Sequence, residues 1–189
     1  MPDYFPAFLD LRGRRCLVVG GGPIGERKAM ALLECGARVV VVSPTLTPAL
    51  SALVAARGLE HRARPFRRPD VRGCTLAVAA TGRADVDRAV AAAARAHRVL
   101  VNVVDCPAHC DVIMPSVLRR GELQIAVSTG GRSPALAREI RRSLEPLFAA
   151  EAGEIVERAG RERAARRALL GYPPTSWARR PPSGCRSGE

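Results

Sequence analysis

Residues 16–25 read CLVVGGGPIG, and this stretch decides the fold of the first half of the chain. The apolar run before the glycines is typical of a buried parallel strand, and the residues after them have the apolar spacing of a helix that ends at Gly36. Between that strand and that helix, Gly20, Gly22 and Gly25 fit the pattern G-x-G-x-x-G. In such a turn the first glycine permits the bend, the second lets a pyrophosphate approach the backbone, and the third lets helix and strand pack closely. The stretch therefore favours a dinucleotide site over a purely structural glycine turn.

Strand and helix patterns continue to alternate up to residue 104. Apolar runs predict strands over 38–43, where the residues are mostly β-branched, and over 76–80 and 99–104. A helix is predicted to start at Pro48 with Thr47 as its N-cap, and an alanine-rich helix to cover 84–97. Parallel strands joined by helices predict an α/β protein with a Rossmann-like, doubly wound parallel sheet and right-handed crossovers.

The pattern changes after residue 105. Residues 112–117 and 123–128 are predicted to form an extended pair joined by a turn, and helices are predicted from Ser133-Pro134 to about 148 and over about 151–170. The rest contains two Pro-Pro pairs and is expected to be disordered. We therefore predict a nucleotide-binding domain over 1–113, a small α+β segment over 114–148, and a short helical region with a Pro/Arg-rich tail over 149–189.

The composition limits the choice of partners. The chain has 30 basic and 18 acidic residues, a formal net charge of +12. This excess suits an acidic partner such as nucleic acid, a membrane surface or a polycarboxylate, and compositional bias explains it equally well. Aromatic residues make up only 4%, which leaves few platforms for stacking nucleic-acid bases. No apolar stretch is long enough to span a membrane and no signal-peptide pattern opens the chain, so we expect a cytoplasmic protein with reduced cysteines.

The end of the second predicted strand lacks the acidic residue that normally holds the ribose hydroxyls of NAD. Ser43 stands there instead; it can bond a ribose but gives no charge-based choice between NAD and NADP. Arg64, Arg67 and Arg68 follow, either within reach of a 2′-phosphate or as solvated surface residues.

Asp105 follows the strand 99–104 directly, where the ligand crevice of an open α/β sheet lies. A carboxylate there can act as a general base or a metal ligand, or it can simply start a loop. Asn102 is a candidate substrate contact, or it satisfies backbone groups. His109 is a candidate for a transient metal contact, although a surface histidine is the commoner outcome; the nearby cysteines have no second pair, which argues against structural zinc.

The glycine-rich loop 128–133 is a candidate anion site. Its free N–H groups and hydroxyls could bind an anion, and Arg132 could pair with a carboxylate. The alternative is an ordinary N-cap by Ser133 after a flexible turn. The candidate substrate-binding residues in this loop are Ser128, Thr129, Gly130, Arg132 and Ser133.

Several motifs occur in a specific order along residues 4–150. They are FPAFL (5–9), CLVVGGG (16–22), ERK (26–28), AAT (79–81), NVVD (102–105), IMPS (113–116) and STGGRSPALA (128–137). On these motifs the chain resembles the precorrin-2 dehydrogenase family, which comprises the N-terminal module of siroheme synthase and its stand-alone relatives. We expect the stand-alone form, because no methyltransferase domain follows.

The resemblance implies NAD-dependent oxidation of precorrin-2 to sirohydrochlorin, on the way to siroheme or cobalamin, and in some members insertion of ferrous iron. Asp105 matches the essential aspartate of the family, a proton acceptor that also helps metal insertion in bifunctional members. The NAD contacts of the family match the glycine loop with Pro23 and Ile24, and the strand-end pair Pro44 and Thr45. The resemblance also implies a homodimer formed through about 114–148. The alternative is a non-catalytic, NAD-sensing regulatory domain, which would not need Asp105.

Overall fold

The structure, a computed structural model, describes residues 4–172. It divides into two compact units, Met1–Ile113 and Met114–Glu189. The tail that the sequence predicts to be disordered lies outside the described residues from residue 173 onwards. Within residues 4–172, no helix is long and apolar enough to cross a membrane.

The first unit is built on a five-stranded parallel sheet with the order β3-β2-β1-β4-β5. The strands are β1 (Arg15–Val19), β2 (Arg38–Val42), β3 (Glu60–Arg62), β4 (Leu76–Ala79) and β5 (Leu100–Val103). The helices are α1 (Pro23–Glu34), α2 (Pro48–Arg57) and α3 (Ala84–Ala96). The predicted fold class, a Rossmann-like parallel sheet flanked by helices, is confirmed.

The core of this unit is the sheet itself. Leu17, Val41 and Val78 in the central strands are fully buried, as the unbroken apolar runs of a parallel sheet require. On α3, Val90 and Ala94 are also fully buried and face the sheet. This rigid core fixes the positions of the loops at the strand ends.

The two edges of the sheet depart from the sequence prediction. The edge strand β3 has the polar sequence EHR and was not predicted, because it lacks the apolar alternation that marks a strand. At the other edge, residues 111–112 run beside β5: the amides of Asp111 and Val112 donate to the Val101 carbonyl at 2.8 and 3.2 Å. The prediction of a strand from residue 112 was therefore wrong at its start, because Val112 bonds to β5.

The second unit contains an antiparallel hairpin and two helices. The hairpin consists of β6 (Ser116–Arg120) and β7 (Leu123–Val127), and the helices are α4 (Pro134–Leu144) and α5 (Ala152–Leu169). The predicted N-cap is confirmed, because the Ser133 hydroxyl accepts a hydrogen bond from the Leu136 amide at 3.2 Å. The α-helix ends before the predicted residue 148 and passes into a 3₁₀ turn at Glu145–Leu147, where Pro146 has no N–H to continue it.

Candidate functional site

Two neighbouring clefts lie at the carboxyl ends of the parallel strands. The larger, about 500 Å³, is lined by the glycine loop, the end of β2 and the Pro65-Phe66 segment. The smaller, about 350 Å³, is lined by Ile24, by residues 103–106 and by His109, among others. Ala80 lines both clefts. The order of the sheet reverses between β1 and β4, and such a reversal is where open α/β sheets bind their ligands.

The glycine loop has the tight turn at Gly20 and the close helix–strand packing at Gly25 that the pattern predicts, and it leaves open space at Gly22. Gly20 has a φ of +121°, and a Cβ there would lie 2.3 Å from the Ala80 carbonyl oxygen. A Cβ on Gly25 would lie 2.1 Å from the Gly20 carbonyl oxygen, so helix and strand pack backbone to backbone. A Cβ on Gly22 would meet nothing within 4 Å, and this residue precedes α1 without a side-chain cap. The first N–H groups of α1 are therefore available to an anion in the larger cleft.

The loop after β2 is held against α1. A Cβ on Gly21 would lie 2.0 Å from the Thr45 carbonyl oxygen, and the Thr47 amide donates to the Gly21 carbonyl at 2.9 Å. The Thr47 hydroxyl donates to Glu26 Oε2 at 2.5 Å and accepts from the Leu50 amide at 3.1 Å, which confirms the predicted N-cap of α2. Glu26 thus fixes the geometry of the larger cleft, a role that the sequence analysis missed.

The strand-end residues Ser43, Pro44 and Thr45 line the larger cleft. Ser43 is 8% exposed, and its amide donates to the Arg62 carbonyl at 3.2 Å. Pro65 and Phe66 contribute a further apolar part of the lining that the sequence analysis missed, since these two apolar residues match no nucleotide-binding motif. The residues present fit a dinucleotide: the glycine backbone and the α1 N-terminus suit its pyrophosphate, and the wall near Ser43 and Phe66 suits its adenosine.

Asp105 lies directly beyond β5, lines the smaller cleft and is exposed to solvent. Its φ is +56°, a left-handed conformation that aspartate tolerates better than most residues. The loop that follows is tied to β5, because the Cys110 thiol accepts from the Val103 amide at 3.1 Å and donates to the Val103 carbonyl at 3.2 Å. Burial raises the pKa of this thiol, so it keeps the proton that it donates.

Two further charged groups belong to this region. Lys28, the only lysine of the chain, stands one helical turn after Ile24 on α1. Burial and the nearby Arg27 lower its pKa, while the Asp105 carboxylate acts in the opposite direction. Asp87 is 7% exposed, lines the smaller cleft and accepts a hydrogen bond from the Thr81 hydroxyl at 2.7 Å. The sequence analysis gave neither residue a role.

Other predicted residues have partners within the fold. Asn102 is 6% exposed, and its amide nitrogen donates to the Val112 carbonyl at 2.9 Å, the backbone-satisfying role that the sequence left open. His109 lines the smaller cleft with Asp105. Among residues 4–172, no group of three or more His, Cys, Asp or Glu side chains could hold a metal ion.

The loop 128–133 belongs to the second unit and is organised by its own side chains. The Thr129 hydroxyl donates to the Ser133 carbonyl and accepts from the Ser133 amide, both at 3.0 Å. The Ser128 hydroxyl accepts from the Gly130 amide at 3.1 Å, and Arg132 is exposed. The loop therefore has a defined shape with a cation at its surface.

The glycine turn on a parallel sheet defines the class of protein, an NAD(P)-binding Rossmann domain. A family model described as "Putative NAD(P)-binding" matches residues 7–116, and one described as "Sirohaem biosynthesis protein central" matches residues 120–147. The chain belongs to this NAD(P)-binding family, whose model covers more than half of it.

Similar proteins include siroheme synthases from several bacteria. The one from Nitrosomonas europaea is 47% identical over 162 residues, 85% of this chain and 34% of that protein. The one from Thioalkalivibrio sulfidiphilus is 46% identical over 153 residues, 81% of this chain and 31% of that protein. The chain thus spans about a third of the length of these curated relatives.

Among solved structures, the chain is similar to one named "SirC, precorrin-2 dehydrogenase". The two superpose with a TM-score of 0.69 at 28% identity, over 82% of this chain and 76% of the other. The family and the NAD cofactor that the motifs imply are thereby supported.

Proposed function

We propose that this protein oxidises precorrin-2 to sirohydrochlorin with NAD⁺ as the hydride acceptor. The observation that carries the proposal is the placement of Asp105 in a cleft that adjoins the glycine-loop cleft at the same edge of the sheet. A similar solved structure is named a precorrin-2 dehydrogenase, and similar curated proteins are named siroheme synthases.

The oxidation removes two hydrogens from the macrocycle, one as hydride and one as a proton. NAD⁺ bound at the glycine loop supplies the acceptor for the hydride. Asp105 takes the proton as a general base, and because it is exposed it can pass that proton to water after each turnover. The left-handed turn at Asp105, held by the Cys110 thiol on Val103, keeps the carboxylate at the end of β5.

The substrate is a polycarboxylate, so the chain must supply cations and anion-binding N–H groups. Arg88 lines the smaller cleft and is exposed. We propose that Arg88 binds a substrate carboxylate. Taken by itself, the second unit presents a cation and backbone N–H groups at Arg132 and the loop 128–133, which we propose as an anion-binding segment.

We further infer a homodimer formed through residues 114–148. On α4 and the turn after it, Leu136, Ile140 and Leu147 are 46%, 39% and 73% exposed. Large apolar side chains that are exposed close together on one segment are typical of a protein–protein interface. Analytical ultracentrifugation of the intact protein should give a dimer, and Ile140→Glu should give a monomer. A monomeric intact protein would contradict the inference.

Ferrous iron insertion is a second proposed activity, and iron would be a substrate rather than a resident metal. Asp105 and His109 line the same cleft, so a carboxylate and an imidazole could receive the ion as pyrrole protons leave.

We also infer a cytoplasmic location, which accords with cysteines such as Cys16 and Cys74 that form no disulfide.

The test is anaerobic incubation of the intact protein with precorrin-2 and NAD⁺, followed by the absorbance of sirohydrochlorin. Formation of sirohydrochlorin with one NADH per product supports the enzyme. If the protein binds NAD⁺ but forms no product, the NAD-sensing domain is the better description. Adding ferrous iron in a second step tests metal insertion separately.

A further inference from the structure

Asp70 is a buried carboxylate that holds two arginines. Its side chain is 2% exposed, and it accepts hydrogen bonds from Arg64 Nη2 and Arg62 Nη1, both at 2.6 Å. Arg64 Nη1 and the Arg67 amide add two more, at 2.9 and 2.8 Å. Burial alone would raise the pKa of Asp70, but the bonds from Arg64, Arg67 and Arg62 lower it to about 2. Asp70 is therefore charged at neutral pH and fully committed to these partners.

The backbone of both arginines lies next to residues that line the larger cleft on the side proposed for the adenosine, near Ser43 and Phe66. Arg62 ends β3 opposite Val42, and its carbonyl accepts from the Ser43 amide. Arg64 directly precedes the segment Pro65-Phe66, which lines the cleft. Although Ser43, Pro65 and Phe66 line that cleft, neither Arg62 nor Arg64 does. Their guanidinium groups point to Asp70 instead.

This arrangement bears on the choice between NAD and NADP. In a Rossmann domain the ribose of the adenosine lies at the end of the second strand, here Ser43, and a nearby arginine accommodates the 2′-phosphate of NADP. Turning Arg64 towards a 2′-phosphate would take it from a carboxylate that is 2% exposed. Removing one partner from a buried ion pair is costly, because the remaining charge stays out of water.

We propose that Asp70 is a specificity-determining residue, which favours NAD over NADP by holding Arg62 and Arg64 away from the ribose 2′ position. This inference rests on the proposed NAD site. It needs no acidic residue at Ser43, because discrimination comes from the withheld cations rather than from repulsion of the phosphate.

Arg64 is the arginine that loss of Asp70 would release. Arg62 is also bonded to Glu60, with Nε and Nη2 at 2.7 and 2.6 Å from Oε1. Arg64 has no second carboxylate among its hydrogen-bond and ion-pair partners within residues 4–172. The test therefore combines Asp70→Asn with changes at Arg64 and Glu60.

The experiment is isothermal titration of the full chain with NAD⁺ and with NADP⁺, and it needs no tetrapyrrole. We expect Asp70→Asn to raise the affinity for NADP relative to NAD at least tenfold. The double variant Asp70→Asn with Arg64→Gln should lose that gain. The matched control Glu60→Gln, which leaves Asp70 in place, should keep the ratio of the intact protein within about twofold.

If Asp70→Asn folds poorly, the single variant Arg64→Gln tests the proposal independently. Because Arg64 is held away from the cofactor, this variant should bind NADP as the intact protein does; a tenfold loss of NADP affinity would overturn the proposal. An unchanged ratio in folded Asp70→Asn would also overturn it. If the intact protein binds neither nucleotide, the proposed function itself fails, so the two failures are distinguishable.

Discussion

Replacing Asp105 by Asn removes one negative charge and keeps a side chain that tolerates the left-handed backbone at this position, where φ is +56°. If the carboxylate takes the proton as hydride leaves, the variant should turn over precorrin-2 about 10²–10⁴-fold more slowly, the range for loss of a general base. The free energy of unfolding should change little, because Asp105 is exposed.

Two companion variants separate the chemistry from the backbone. Asp105→Ala places an ordinary residue in the left-handed region at a cost of about 1–2 kcal/mol, which lowers Tm by about 2–8 °C in a chain of this size. Asp105→Gly adopts the same backbone without strain and should be more stable than Asp105→Ala. All three variants should be equally slow, since they share only the loss of the carboxylate.

The assay is anaerobic formation of sirohydrochlorin, run beside thermal unfolding with and without NAD⁺. NAD⁺ should stabilise all three variants as much as the intact protein, because Asp105 lies in the smaller cleft and not in the glycine-loop cleft. If Asp105→Asn keeps more than a tenth of the intact turnover, the proton-acceptor role is refuted. If activity follows Tm across the series, the aspartate acts through the backbone instead.

Three further predictions concern the glycine-loop cleft, the cap of α2 and the ion pairs of Asp70. Gly22→Ala should fold normally, because its Cβ meets nothing within 4 Å, yet bind NAD⁺ about tenfold more weakly by titration. Gly20→Ala should instead lower Tm by several degrees, since its Cβ would lie 2.3 Å from a carbonyl oxygen; equal stability of the two variants would contradict this account. Thr47→Val removes the α2 cap and the bond to Glu26, and should cost about 1–2 kcal/mol in urea unfolding, whereas a change below about 0.3 kcal/mol would argue against it. The pKa of Asp70 is about 2 in the folded protein against an ordinary value of 3.8, so its charge stabilises the fold above pH 4. About 2 kcal/mol of this stability should be lost as the pH falls towards 2, and Asp70→Asn should lack this loss.

The elements that the sequence predicted well carry their signals within a few residues. The apolar run of β1 and the glycines after it predict a strand, a turn and a helix without reference to the rest of the chain. Thr47 and Pro48 mark the start of α2 in the same way, by a hydroxyl that accepts from the helix and a ring that suits its first turn. The structure confirms these elements because local sterics and hydrogen bonds decide them.

The elements that were missed depend on distant partners. The sequence EHR of β3 has no apolar alternation, and only its backbone bonds to β2 make it a strand. Val112 has the β-branched character of a strand residue, but it bonds to the edge of β5 rather than to the hairpin. Neither partner can be identified from the neighbouring residues.

The candidate site likewise contains residues that the sequence could place and residues whose position depends on packing. Gly20, Ser43 and Asp105 could be placed at one edge of the sheet from the sequence, because parallel strands all end on that side. Phe66 and Asp87 could not, since their presence in the two clefts follows from the way β3 and α3 pack.

By itself, the sequence determined the parallel sheet, the glycine turn and the aspartate at the end of β5, because each follows from periodicity, turn chemistry or position along a strand. Only the tertiary structure decided that Asp70 binds Arg64, which does not line the larger cleft, and that Asp105 adopts a left-handed backbone beside the smaller cleft. The physical reason is that burial and ion pairing depend on groups that the fold brings together, and the linear order of residues does not specify those groups.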